Sequence, residues 1–167
     1  MVWANSTVEV YHGTIEPHAN NIVSNGPDPK RGRFDTDFGP GFYVTSSLHQ
    51  ARQWANIKAR ARPREIPAVV IFDLDLDEIA QYKDHLVFTL DDARFHDFVT
   101  FNRLGGAHHS RISARSYDVI YGPLSAYPQS LVYKDCAQIC FSASTVVNLK
   151  LALLTPRMVT PTSTTYF

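Results

Sequence analysis

Residues 25 to 41, N-G-P-D-P-K-R-G-R-F-D-T-D-F-G-P-G, hold four of the chain's eight glycines and three of its ten prolines. A helix or a central strand does not run through such a segment. Each proline fixes φ and removes a backbone donor, and each glycine is costly to order. The regular elements must therefore lie on either side of a long loop, and long loops in compact domains are often functional. The loop ends in G-P-G-F-Y-V-T-S-S, residues 39 to 47. A turn leading into a strand accounts for the glycines and the apolar residues. It does not account for a tyrosine at position 43.

Before the loop, V-E-V-Y-H (8 to 12) alternates as a strand does, with Val8, Val10 and His12 on one face. Glu16 to Val23 reads as a short helix, with Pro17 in its first turn and Gly26 just past its end. After the loop, 41 to 45 is a second strand. Ser47 and Gln50 form a capping box for a helix that places Leu48, Ala51, Trp54 and Ala55 on one side and stops by Pro63. Pro67 to Leu76 alternates as a half-buried strand, with Ala68, Val70, Phe72, Leu74 and Leu76 on its inner face.

Thr89 to Asp92 starts a helix lined by Phe95, Phe98, Val99 and Asn102 and ended by Gly105-Gly106. Tyr117 to Gly122 is a strand that turns at Gly122-Pro123. A last strand covers 138 to 141, and Ser142 or Ser144 caps a closing helix to about Leu153. This mixed order argues α+β, with no glycine-rich dinucleotide fingerprint. The pattern predicts one domain over 1–154 and a polar, mobile tail over 155–167.

The 167 residues suffice for one core. Sixteen basic and sixteen acidic side chains cancel, so overall charge gives no reason to expect nucleic acid or an anionic membrane as partner. Cys136 and Cys140 do not make a disulfide scaffold. In a strand, four residues span on the order of 13 Å, beyond disulfide reach. The N-terminus lacks the pattern of a secretory signal and no apolar run reaches membrane-spanning length, so the expected location is cytoplasmic. His108-His109 with the cysteines matches no common zinc spacing. Asp73, Asp75, Asp77 and Glu78 lack the glycine and glutamate of a calcium loop. No metal is expected.

Three segments combine into a resemblance: Y-H-G-T at 11 to 14, D-F-G-P-G-F-Y-V-T at 37 to 45, and A-Q-I-C-F at 137 to 141. In this order they resemble the ADP-ribosyltransferase superfamily of the His-Tyr-Glu type, on its diphtheria-toxin and poly-ADP-ribose polymerase side. They are most similar to a poorly characterised microbial branch. A-R-Q-W-A (51 to 55), F-V-T-F-N-R (98 to 103) and Y-D-V-I-Y-G-P-L (117 to 124) extend the likeness from about residue 9 to 153.

The resemblance implies a split pair of small antiparallel sheets with peripheral helices and an NAD cleft between the sheets. It implies that His12 hydrogen-bonds the adenosine-side ribose and that the Gly13 backbone holds the nicotinamide carboxamide. There a glycine would let the ligand come close. It implies that Tyr43 stacks on the nicotinamide ring. Thr14, Arg33, Asp37, Phe38 and Gly41 join the expected NAD-binding set, with Asp37 and the loop arginines near phosphate or ribose. The catalytic set is His12, Tyr43 and Gln138.

The family position at 138 is usually glutamate. Glutamine can accept from a ribose hydroxyl but carries no charge to stabilise an oxocarbenium-like transition state. A rise in turnover on Gln138→Glu would mark a working site, and no release from either form would favour a binding module. Cys136 stands where arginine-modifying relatives carry a second glutamate, which disfavours arginine as acceptor. Cys136, Gln138 and Cys140 share a strand face, with Ile139 and Phe141 turned to the core. The expected activity is NAD-dependent ADP-ribosyl transfer to a protein, nucleic acid or small molecule, or to water in a glycohydrolase. The alternative is a non-catalytic binding module of the same fold. A toxin, an effector and a metabolic enzyme would share these features. Taken singly each residue is ordinary: a histidine at a strand end is usually structural, and a tyrosine beside Phe42 is usually core.

Overall fold

The computed structural model describes residues 7–82, 84–106, 117–142, 149, 152–163 and 165–167. The expected helix between 142 and 153 lies largely outside the described residues, and so does the His108-His109 pair. Where one domain is expected, the chain divides into two compact units. The first comprises Met1–Pro27, Val44–Ala80 and Asn148–Phe167, and the second Asp28–Tyr43 and Gln81–Val147.

The first unit is built on β1 (Val8–Ile15), β3 (Pro67–Leu74) and β7 (Leu153–Val159). It also contains the second half of β2 (Phe42–Thr45), in strand order β2-β1-β3-β7. All its pairings are antiparallel, running Val8↔Leu74 to Ile15↔Pro67 between β1 and β3. Among the described residues it contains the helices α1 (Glu16–Asn25), α2 (Leu48–Arg60) and α3 (Leu76–Ala80). Pro17 occupies the first turn of α1, and Gly26 follows its end at φ 83°. Ser47 Oγ accepts from the Gln50 backbone N–H at 3.2 Å, the half of the capping box that starts α2.

Three expectations are corrected here. β3 is buried on both faces, because α2 covers Val69 and Ile71 with Ala51 and Ala55. Val69 and Ile71 on its other face are apolar too, so 68 to 72 is a continuous apolar run, as in a strand covered on both sides, rather than an alternation. On α2 the buried side is Ala51, Ala55 and Ala59, and Trp54 is exposed. The predicted mobile tail instead supplies β7 on the edge of β3. Phe167 packs near α2, where Asn56 accepts from its N–H at 3.0 Å and donates to its carbonyl at 3.3 Å.

In the second unit β4 (His85–Val87), β5 (Val119–Ser125) and β6 (Val132–Phe141) continue the order as β4-β5-β6-β2, reaching the first half of β2. β5 and β6 are antiparallel, with Gln138 opposite Gly122; β4 and β5 are parallel. β5 runs through Gly122-Pro123 where a turn is predicted. β4 has three residues, too few for a periodic signal. Helix α4 (Ala93–Arg103) starts where the Asp92 carboxylate accepts from Phe95 N–H at 3.1 Å, and it buries Phe95, Phe98, Val99 and Asn102 as predicted.

Phe95, Phe98 and Val99 form a largely aromatic core with Phe38, Phe88, Tyr117, Ile120 and Cys140. Cys140 is therefore in the core rather than on a cleft face, and burial pushes its thiol up to about 12. Helices and a mixed set of seven described strands make the chain α+β. β2 is common to both strand orders, and the expectation of separate, purely antiparallel sheets does not hold: the order is continuous and β4–β5 is parallel.

Candidate functional site

Of the residues singled out in the sequence, His12, Gly13 and Thr14 fall in the first unit. Arg33, Asp37, Phe38, Gly41, Tyr43 and Gln138 fall in the second.

His12 is half-buried in β1, opposite Val70, and Thr14 is buried opposite Ala68. The reason for glycine at 13 differs from the one expected. A Cβ there would overlap the Ala51 carbonyl oxygen and crowd Ala55 N, so α2 rests directly on the β1 backbone. The Gly13 carbonyl accepts from Lys58 Nζ at 2.7 Å. Burial, helped by the nearby Arg62 charge, lowers the Lys58 ammonium to about 8.

In the second unit the loop before β2 closes on itself through Tyr43. Gly39 takes φ 78° in the turn and donates its N–H to Thr36 O. The Tyr43 hydroxyl donates to Gly39 O at 2.6 Å, receives Phe38 N–H at 3.0 Å, and lies 2.9 Å from Thr36 Oγ1. A phenylalanine could not make these bonds, which gives the tyrosine a structural reason independent of any ligand. Burial, as the main cause, holds its phenol well above the usual range. Its ring lies at 6.3 Å and 24° from Phe38. Phe38 is itself fully buried against Phe88, Phe95 and Phe98, so its ring is committed to the core rather than to a ligand. At Gly41 a Cβ would run into Cys140 Sγ and the Phe141 carbonyl.

Asp37 corrects the sequence reading most. It does not reach out for a phosphate; its carboxylate is buried and receives four donors. Arg103 Nε lies 2.8 Å and Arg103 Nη2 2.6 Å from Oδ1. Ser125 N–H at 3.2 Å and Gln138 Nε2 at 2.6 Å donate to Oδ2. Gln138 also donates to the Pro123 carbonyl at 3.1 Å. Like charge would in any case oppose a phosphate there. Arg33 is exposed and paired with Asp35 at 2.7 Å, which raises its own affinity for a proton.

Arg103 and Ser125 are the residues that sequence reasoning missed. Arg103 reads from the sequence as a cation complementing the end of α4. Its partner is 66 positions away, and only the F-V-T-F-N-R segment of the resemblance marked it. The guanidinium also lies 5.6 Å from the Tyr127 ring centroid and donates to the Asp35 carbonyl. Among the described residues no group of three or more His, Cys, Asp or Glu side chains could hold a metal ion. No helix among them is long and apolar enough to cross a membrane.

A pinned glutamine over a buried carboxylate and a tyrosine-stapled turn thus occupy the part of the chain that carries its most distinctive motif. A protein-family model described as "protein of unknown function (DUF3990)" matches residues 8–151, which takes in both features. The chain belongs to this family. No curated protein and no solved structure matches it.

Proposed function

We propose that this member of the family is an NAD-dependent ADP-ribosyltransferase. It breaks the bond between nicotinamide and ribose and passes ADP-ribose to an acceptor, which is a protein, nucleic acid or small molecule, or water in a glycohydrolase. The observation that carries the reading is the state of Gln138. A carboxylate and a carbonyl, both acceptors only, bind one end of its side chain, so that end is the NH2 group. The carbonyl oxygen is the end turned from them, and it suits a ribose hydroxyl as partner.

β2, which carries Tyr43, is the neighbour of β6 with Gln138 in one strand order and of β1 with His12 in the other. These are the three strands of the Y-H-G, F-Y and A-Q-I segments. In the proposal His12 and the Gly13 backbone hold NAD and the Tyr43 ring stacks on nicotinamide. Arg33 is a loop cation that would exchange Asp35 for the pyrophosphate. A neutral residue at 138 stabilises positive charge on the ribose less than a carboxylate would, so turnover is slow.

That same neutrality favours a second reading, a module that binds NAD or another nucleotide without turning it over. Nicotinamide release from NAD, followed by chromatography over hours beside a His12→Ala control, separates the two. Release that His12→Ala abolishes supports the enzyme. NAD binding without release, even in cell extract that supplies acceptors, supports the module.

A further inference from the structure

We propose that Asp37 is the positioning residue of this site: it orients the Gln138 amide so that its carbonyl oxygen is presented to the substrate, and it requires position 138 to be neutral. The proposal rests on the NAD reading only for the identity of the group that Gln138 meets.

The geometry is one-sided. Asp37 Oδ2 lies 2.6 Å from Gln138 Nε2, and both residues are buried, Asp37 at 2% exposure and Gln138 at 5%. Asp37 is ionised against Arg103, whose Nη2 is 2.6 Å away, so its oxygens can only accept. The Pro123 carbonyl also only accepts. Turning the amide over would set its oxygen against two acceptors in a site largely removed from water, and both would repel it. The amide therefore has one orientation before any ligand arrives. Such preorganisation is what a catalytic hydrogen bond needs, because no reorganisation remains for the moment of reaction.

The same contact explains why glutamine replaces the glutamate expected here. A glutamate at 138 would bring a second carboxylate within hydrogen-bond distance of the first. Arg103 supplies a single positive charge for both. Buried carboxylates this close do not both ionise, so one takes a proton or the contact opens. A rise in turnover on Gln138→Glu is therefore not the expected outcome. With Asp37 in place the substitution lowers both stability and turnover.

The test exchanges the two side chains. Gln138→Glu, Asp37→Asn and the double variant Asp37→Asn/Gln138→Glu are compared with the wild type by thermal unfolding and by nicotinamide release. The double variant keeps one negative charge and one amide beside Arg103. Gln138→Glu is expected to lower Tm by on the order of 10 °C, and the double variant to recover more than half of the loss. Its kcat is expected to exceed that of Gln138→Glu, without a matching change in KM.

A wild type that neither binds NAD nor releases nicotinamide defeats the proposed function, while the Tm cycle still decides how Asp37 and Gln138 are coupled. Additive Tm changes, or Gln138→Glu with unchanged Tm and raised turnover, overturn the proposal. Should the variants fail to fold, proton NMR of the wild type decides. A Gln138 side-chain amide shifted downfield and slow to exchange supports the pinned orientation, and one at free-amide shifts with fast exchange overturns it.

Discussion

The two units solve the same packing problem with opposite materials. The first brings a helix directly against a strand. Its contact layer is Ala51, Ala55, Val69 and Ile71, and a glycine at 13 lets α2 approach the β1 backbone. The second uses rings of Phe38, Phe88, Phe95 and Phe98, and beside them it buries an ionised carboxylate. Small residues permit close approach and leave few polar groups to satisfy. Large residues fill volume between loops, and the loop polar groups that become buried must be paired inside the fold. The second unit accordingly carries the buried polar network around Asp37, and the first carries the direct contact of a helix with a strand backbone.

The contrast can be broken most directly at Arg103. Arg103→Ala strips Asp37 of its charge partner and leaves a buried carboxylate on neutral donors. A loss of about 3–5 kcal/mol is expected, read by urea unfolding. A loss under 1 kcal/mol would mean that water reaches Asp37 freely. In the first unit the matching blow is steric. Gly13→Ala should cost about 1–3 kcal/mol, because the new methyl group meets the Ala51 carbonyl rather than a flexible side chain. A neutral result would show that α2 can slide away from β1.

Tyr43→Phe sharpens the comparison by separating ring from hydroxyl. It frees the 36–39 turn and should cost about 1–2 kcal/mol while the ring stays in place. At Lys58 the expected effect changes with pH. The folded-state value of about 8 lies below the ordinary 10.5. The unfolded chain therefore binds the proton more tightly, the penalty is fully present below pH 8, and stability rises from there towards 10.5. Lys58→Met should flatten that rise in unfolding curves taken at pH 7.5 and 9.5. An unchanged slope would assign it to other groups.

How much of this was legible in the sequence follows the range of the interactions. Short-range signals read correctly: the Ser47 and Asp92 caps, Gly26 and Gly105 past helix ends, and the buried side of α4 at Phe95, Phe98, Val99 and Asn102. Residues 153 to 159 were misread because Pro156 interrupts the run, and a proline is tolerated in a strand only at a sheet edge or a bulge. Only its pairing with β3 identifies it. Trp54 was misread because alanines can form the buried side when a helix lies this close. The site was legible as a set of positions and not as a network. Asp37, Arg103, Ser125 and Gln138 are joined across spans of 66, 88 and 101 residues, and no local pattern encodes such pairings.

The most direct test of the central claim is calorimetric titration of NAD into the wild type, Tyr43→Phe and Tyr43→Ala, each first checked for folding by circular dichroism. The account predicts binding by the wild type, similar affinity for Tyr43→Phe, which keeps the ring, and loss of binding in Tyr43→Ala. Equal affinity in all three folded proteins, or no heat from the wild type, would contradict it.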